Sequence, residues 1–240
     1  MKKNKNIISL IKYLLIIICF IPRPVFSQVE LYKGSEGSYN PFGTSIAGDY
    51  MRVYEIPYHS SLLGTPYLNE EWENADIILS HDDLLVKDIP IRIDVMNNWL
   101  EVKLKGKVFL LYVDDTHSLF FKNSNDAFIT GNGIAKNSPA GFYKVIYNEK
   151  SSVFCHYSTK IKEATYIPAF NVGEKDDKII IEKTYYAFIN NQLIELEKNK
   201  KKLIQQFKSN KEIITFIKHN NINPTKEQDL IKFIKYYDSI

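Results

Sequence analysis

From Ile77 to Ile194 apolar and β-branched residues recur in short runs divided by polar turn residues, which is the pattern of antiparallel strands. The clearest stretch is Trp99–Leu104. Leu100, Val102 and Leu104 fall on one face and Trp99, Glu101 and Lys103 on the other, so one face should meet a core and the other water. Further strands are expected at Ile77–Leu79, Leu84–Val86, Ile89–Val95, Val108–Val113, Ser118–Lys122, Phe142–Tyr147, Val153–Tyr157, Lys178–Glu182 and Tyr185–Ile189, with a weaker one near Met51–Ile56. Pro90 lacks an N–H and suggests an edge or a bulge. Asn97-Asn98 and Asn190-Asn191 sit in two similar segments. Asn tolerates the positive φ of tight turns, so both read as hairpin tips. Residues 123–141 read as a polar loop.

After Leu196 the period changes. Leu196, Leu203, Ile204 and Phe207 share a helical face. Ser209-Asn210-Lys211-Glu212 fits a capping box before a second helix with Ile213, Phe216 and Ile217 inward. Pro224 opens a third, with Leu230, Phe233, Ile234 and Tyr237 apolar. Such short helices are marginal alone in water and must dock. The expected fold class is therefore α+β and mainly β: one antiparallel meander or open barrel of about seven to ten strands, closed off by two to three C-terminal helices. The β-domain spans 28–196 and the helical tail 197–240.

The first 27 residues read as a signal peptide. Lys2, Lys3 and Lys5 precede an apolar run centred on Leu14–Phe20, and Val25-Phe26-Ser27 offers a cleavage site. The apolar part is too short and interrupted for a membrane span. No transmembrane span is expected after cleavage, and export points to the periplasm ahead of the surface. Cleavage also changes the electrostatics. It removes five of the 31 basic residues and no acid, leaving 26 against 28 acidic ones, so the formal charge moves from +3 to −2. The mature chain has no general attraction for nucleic acid. The three arginines, Arg23, Arg52 and Arg92, make no cluster. Cys19 falls in the signal, where Ile16-Ile17-Ile18 is a poor lipobox. Cys155 is then the single mature cysteine and no intrachain disulfide can form.

Gly64-Thr65-Pro66-Tyr67-Leu68, Trp72, Ile91-Arg92-Ile93-Asp94-Val95 and Leu100-Glu101-Val102-Lys103, with Lys183-Thr184-Tyr185-Tyr186, Phe207, Ile217-Lys218-His219-Asn220 and Tyr236-Tyr237 in the tail, resemble a large group of exported proteins of Bacteroidota. The resemblance implies a periplasmic or surface location and a β-domain with a C-terminal helical tail. It implies no activity and no catalytic residue.

Candidate chemistry is thin. Asp114-Asp115-Thr116-His117 and His81-Asp82-Asp83 put carboxylates and imidazoles on two turns, a donor set suited to a divalent cation. They would act together only if both turns end on one edge of the sheet; otherwise they are solvated turns, where Asp is favoured for its own backbone hydrogen bonds. Cys155-His156 invites a nucleophile–base reading, but adjacent strand residues face opposite ways. Asp94 and Glu101 could face each other as an acid pair, or be outward carboxylates with Arg92 and Lys103 as salt partners. Sixteen Tyr and fourteen Phe would suit a sugar- or protein-binding surface as well as ordinary strands. No serine elbow, phosphate-cradling glycine loop, His-Glu-x-x-His or paired CxxC occurs. The expectation is a non-enzymatic binding or structural protein of the cell envelope, taking an apolar small ligand or another envelope protein. The alternatives are a metal-dependent hydrolase built on the Asp-rich turns and a module whose tail docks a partner.

Overall fold

The computed structural model describes residues 51–53, 62–80 and 84–240. One open sheet dominates. Its strands are β1 (Met51–Val53), β2 (Leu62–Leu63), β3 (Glu73–Leu79), β4 (Leu85–Asp94), β5 (Trp99–Leu104), β6 (Lys107–Tyr112), β7 (Thr116–Phe121), β8 (Ala127–Thr130), β9 (Phe142–Asn148), β10 (Ser152–Lys162), β11 (Asp177–Ile189) and β12 (Gln192–Glu195). Eleven of them follow the order β1-β6-β5-β4-β3-β7-β8-β9-β10-β11-β12, and β2 joins β11 in parallel. The mainly-β class and the C-terminal helices stand as expected, in a sheet slightly larger than anticipated. A helical turn, α1 (Gly131–Ile134), follows β8, and the tail forms α2 (Lys200–Gln206), α3 (Lys211–His219) and α4 (Glu227–Ser239).

A short connection makes the sheet curl. In the ladder β6 lies four steps from β7, about 19 Å across a flat sheet. Yet only Val113–Asp115, a 3-10 turn, separates Tyr112 from Thr116, and four residue steps reach at most about 14 Å. The Thr116 hydroxyl in fact donates to the Tyr112 carbonyl at 3.2 Å. Strands β7-β3-β4-β5-β6 must therefore bend until the end of β6 meets the start of β7. The concave side holds Ile77, Ile89, Ile91, Leu100, Val102 and Leu111, all nearly or fully buried.

Turn chemistry matches the asparagines. Asn190 and Asn191 both take positive φ between the paired Ile189 and Gln192, as a two-residue mirror-image turn requires. Asn98 is also left-handed, and Asp94 accepts from the Asn97 N–H and side-chain amide at 2.9 Å. Pro90 marks a bulge, not an edge. Lys87 and Asp88 together oppose Asp76, Asp88 has φ 56°, and its N–H donates to the Asp76 carboxylate at 2.8 Å. The supposed loop 123–141 contains β8 and α1. Four residues of β8 are too few to show a period.

The tail joins the same core. Ile213, Ile217, Leu230, Phe233 and Ile234 are fully buried with Val153, Cys155 and Ala187 of the sheet. Its caps sit later than the spacing suggested. Asn210, not Ser209, accepts from the N–H groups of Glu212 and Ile213. The last helix opens at Glu227, three residues past Pro224, after Thr225 has bonded back to Asn223.

The outer face of β5 is wet at Lys103 but not at Glu101. Glu101 pairs in register with Arg92, and Asp94 lies opposite Trp99, so the two acids do not face each other. Glu101 is fully buried. It receives Arg92 Nε at 2.7 Å and the Tyr67 hydroxyl at 2.8 Å, while the guanidinium lies 3.8 Å over the Tyr67 ring and 4.7 Å from that of Trp72. Pro66 and Leu68 bond the backbone of Val95 and Ile93, which lays this segment over the pair. Burial and the Glu101 carboxylate push the Tyr67 hydroxyl well above its usual range. Breaking a buried ion pair leaves a charge without compensation. Arg92→Met should therefore lower stability by about 3–5 kcal/mol in urea unfolding, and Arg92→Met with Glu101→Leu should recover much of that. A single variant within about 1 kcal/mol of the wild type, the value of an exposed pair, would show that the pair holds nothing together.

Candidate functional site

The ladder of β10 and β11 runs unbroken from Ser152↔Phe188 to Lys162↔Lys178. Alternation splits its side chains between two faces. Val153, Cys155, Tyr157, Tyr185 and Ala187 enter the main core under the helices. Phe154 and Tyr186 join Ile129 and Tyr143 in a second cluster on the other face. Cys155 and His156 thus point apart. The Cys155 thiol is fully buried, and burial pushes it up to about 11, so it is a small apolar side chain rather than a nucleophile.

His156 belongs to the second cluster. Its ring lies 4.5 Å from Tyr143 and 6.2 Å from Tyr186. Its Nε2 meets the Ala140 carbonyl at 3.0 Å, and the Tyr143 hydroxyl donates to the Pro139 carbonyl. The segment after α1 is in this way tied down over the cluster. Gly141, at φ 127°, has room there only without a Cβ, which would come within 2.8 Å of His156 Nε2.

Two open features occupy opposite ends of the β10–β11 ladder, about 33 Å apart at the rise of a strand. At the end marked by the turns 148–152 and 190–191 lies a cleft of about 870 Å³, within the size range of ligand sites. Ile129, Ile134, Phe154 and Phe188 line one side; Phe207 and Tyr237 of the tail line another. Glu149, Lys150, Lys211 and Glu212 ring the opening. Asp238 fixes that wall by accepting from Lys150 Nζ at 3.2 Å and Ser151 N–H at 3.0 Å.

At the other end the hairpin becomes an arm. β9 pairs β10 only from Ser152 to His156, and β12 pairs β11 only from Tyr186 to Ile189. Beyond them two strands continue, with β2 alongside at Asp177 and Lys178. Six of the eight exposed large apolar side chains among the described residues stand here: Leu63, Ile161, Ile167, Phe170, Val172 and Ile180. Phe170 is 74 % exposed. The tip is nonetheless ordered by its own bonds. Ile167 and Val172 form a bridge, Thr165 N–H donates to the Glu174 carbonyl, and the Tyr166 hydroxyl reaches Asn171. Gly173 has φ 100°, and a Cβ there would run into the Thr165 carbonyl. Lys178 and Lys162 flank Glu174 and hold its carboxyl below the usual range.

The expected metal turns are placed in part. Leu79 pairs with Thr116, and the Ser80 hydroxyl donates to the Asp114 carbonyl at 2.6 Å. The turn after β3 therefore starts beside the turn that carries Asp114, while His117 lies in β7. His81, Asp82 and Asp83 lie outside the described residues, as does the Asp115 side chain. The Asp114 carboxylate accepts from Asn132 at 3.0 Å. Among the described residues no three His, Cys, Asp or Glu side chains come together as metal ligands. No helix among them is long and apolar enough to cross a membrane.

Comparisons with known proteins leave the site to its own chemistry: no family model, no curated protein and no solved structure matches the chain.

Burial lowers the affinity of His156 for a proton. The unfolded chain then binds a proton near pH 6.5 that the folded one refuses. The stability tied to neutral His156 is complete above that pH and is lost as pH falls through and below it. The urea midpoint should drop more steeply from pH 7 to pH 5 in the wild type than in His156→Gln. Equal slopes would show that His156 is not the group refusing the proton.

Proposed function

We propose that the protein is an exported, non-enzymatic binding or structural module of the cell envelope that engages a protein partner through the β10–β11 arm. The observation that carries this reading is the gathering of exposed apolar side chains on a self-bonded tip. Exposed apolar side chains gathered on one element mark interaction sites, and a tip already ordered loses little freedom on binding. An apolar small ligand is the weaker version. The space between sheet and helices is filled by Phe233, Ile234, Leu203 and their neighbours, so the cleft is where such a ligand would have to sit. Docking through the tail is weaker still, because its apolar faces are spent on the sheet. A photo-cross-linking amino acid at position 170, introduced in the native cell, should yield a defined adduct larger than the monomer. Monomer alone, with the protein exported and folded, would overturn the reading.

A metal-dependent hydrolase remains the second reading, favoured by one contact. The Ser80–Asp114 bond sets Ser80, the residue before His81-Asp82-Asp83 in the sequence, beside the turn that carries Asp114, and shared coordination by Asp114, Asp115, His117, His81, Asp82 and Asp83 would need both turns at that edge. On this reading native mass spectrometry of the chain with added Zn²⁺ or Mn²⁺ shows one bound ion, lost in Asp114→Asn and His117→Ala. No bound ion, or an ion indifferent to both variants, ends it.

A further inference from the structure

We propose that the cleft between the 148–152 and 190–191 turns and the tail binds an uncharged oligosaccharide. The inference stands apart from the arm and goes beyond the partner reading above, which survives if this one fails. The polar part of the lining carries it. Asn148, Ser151, Asn190, Asn191, Ser209 and Asn210 all line the cleft, and each has hydrogen-bonding capacity that the fold leaves over. Ser151 is 4 % exposed. Its N–H goes to Asp238 and its carbonyl to the Glu149 N–H, while no group among the described residues bonds its hydroxyl. A hydroxyl that deep is normally paired, and the cleft is where its partner belongs.

Two of the amides are oriented. Asn210 caps α3 by accepting at Oδ1 from the N–H groups of Glu212 and Ile213, both at 3.1 Å. Asn148 Oδ1 accepts from the Ser152 hydroxyl at 2.6 Å. In both, the oxygen is spent and the NH2 group keeps its two donors. Asn190 and Asn191 sit in the left-handed turn with amides that no group among the described residues bonds, and Ser209 adds a hydroxyl in the same condition. The set as a whole both donates and accepts, and sugar hydroxyls do the same. A fatty chain could satisfy none of it.

Rings and charge narrow the ligand class. Phe188, Phe207 and Tyr237 line the cleft and are partly, not fully, buried, which leaves ring surface for the C–H face of a pyranose. A sugar is polar at its rim and apolar on its faces, and rings set among amides and hydroxyls match both. The ionised side chains of the lining balance, Lys150 and Lys211 against Glu149 and Glu212. Neither an anion nor a cation finds an excess of the opposite sign there. An uncharged ligand loses nothing by that balance.

Calorimetric titration of the protein purified from an exporting host tests this. The probes are soluble oligosaccharides of cellulose, starch, laminarin, mannan and chitin. Polygalacturonate serves as the anionic counterpart, palmitate as the apolar one and an uncharged glycine–serine peptide as the polar non-sugar. At least one of the neutral sugars should bind, at one site per chain. Asn191→Gly keeps the left-handed turn, and Ser209→Ala changes an exposed side chain outside any helix. The double variant should keep the wild-type urea midpoint and lose about tenfold in affinity for that sugar. Ser151→Ala should weaken it as well. In the wild type, NMR saturation of the protein's aromatic protons should transfer to the ring protons of the bound sugar. Heat from none of the neutral sugars overturns the proposal. So does a sugar that the double variant binds as tightly as the wild type, which would place it elsewhere. Preference for polygalacturonate, palmitate or the peptide over every neutral sugar overturns it too.

Discussion

The paired ladder of β10 and β11 is the constraint on which the second half of the molecule depends. Eleven registered residue pairs fix a stiff ribbon, and every other feature is attached to it by alternation. Odd positions of β10 take the core side, where Val153 and Cys155 receive the helices. Even positions take the other side, where Phe154 and His156 build the aromatic cluster. A slip of one residue would exchange the two sets. It would bring His156 under the apolar helices and Cys155 beneath the loop, and both faces would fail together. The helices cannot compensate, since helices of their length gain most of their stability from the face they pack on.

In the first half the equivalent constraint is the brevity of the link from β6 to β7. It obliges the strands to curl, and the curl gives the concave wall its closely packed isoleucines. The same bend turns the convex face of β4 and β5 toward the segment 66–72. That is how Arg92 and Glu101, outward by parity, come to be sealed by Tyr67 and Trp72. The pair is compatible with burial because each partner is satisfied several times: Glu101 by Arg92 and Tyr67, Arg92 by a carboxylate and two aromatic faces.

These two constraints explain what the sequence shows and what it hides. Trp99–Leu104, the asparagine turns and the apolar faces of the tail are local patterns, and each local pattern survives into the fold. Glu101 alternates as a solvent residue should, and nothing within the strand reveals that a segment some thirty residues earlier covers it. Strand order is hidden in the same way. β7 beside β3 is a long-range pairing that no local period encodes. The arm left one sign, Ile179-Ile180-Ile181 between charged residues. Three consecutive β-branched apolar residues place side chains on both faces of a strand, so in a two-stranded ribbon at least one face must meet water or another molecule. The cleft left no sign, because its walls come from five separate stretches of chain brought together only by the fold.

The arm's order is the last step. A two-stranded ribbon by itself is marginal in water, and exposed apolar side chains do nothing to hold it. Here it is held by other means: the β2 rung at Asp177 and Lys178, Glu174 between two lysines, Asp177 accepting from the Ala164 N–H at 2.7 Å, and a left-handed Asn171 bonded to Tyr166. Polar and backbone bonds supply the structure, and Phe170, 74 % exposed, adds little to it. Phe170→Ser should then leave the melting temperature nearly unchanged, whereas loss of Glu174 should loosen the arm. Apolar side chains presented to solvent on an ordered support are the surface that the proposed partner contact would use.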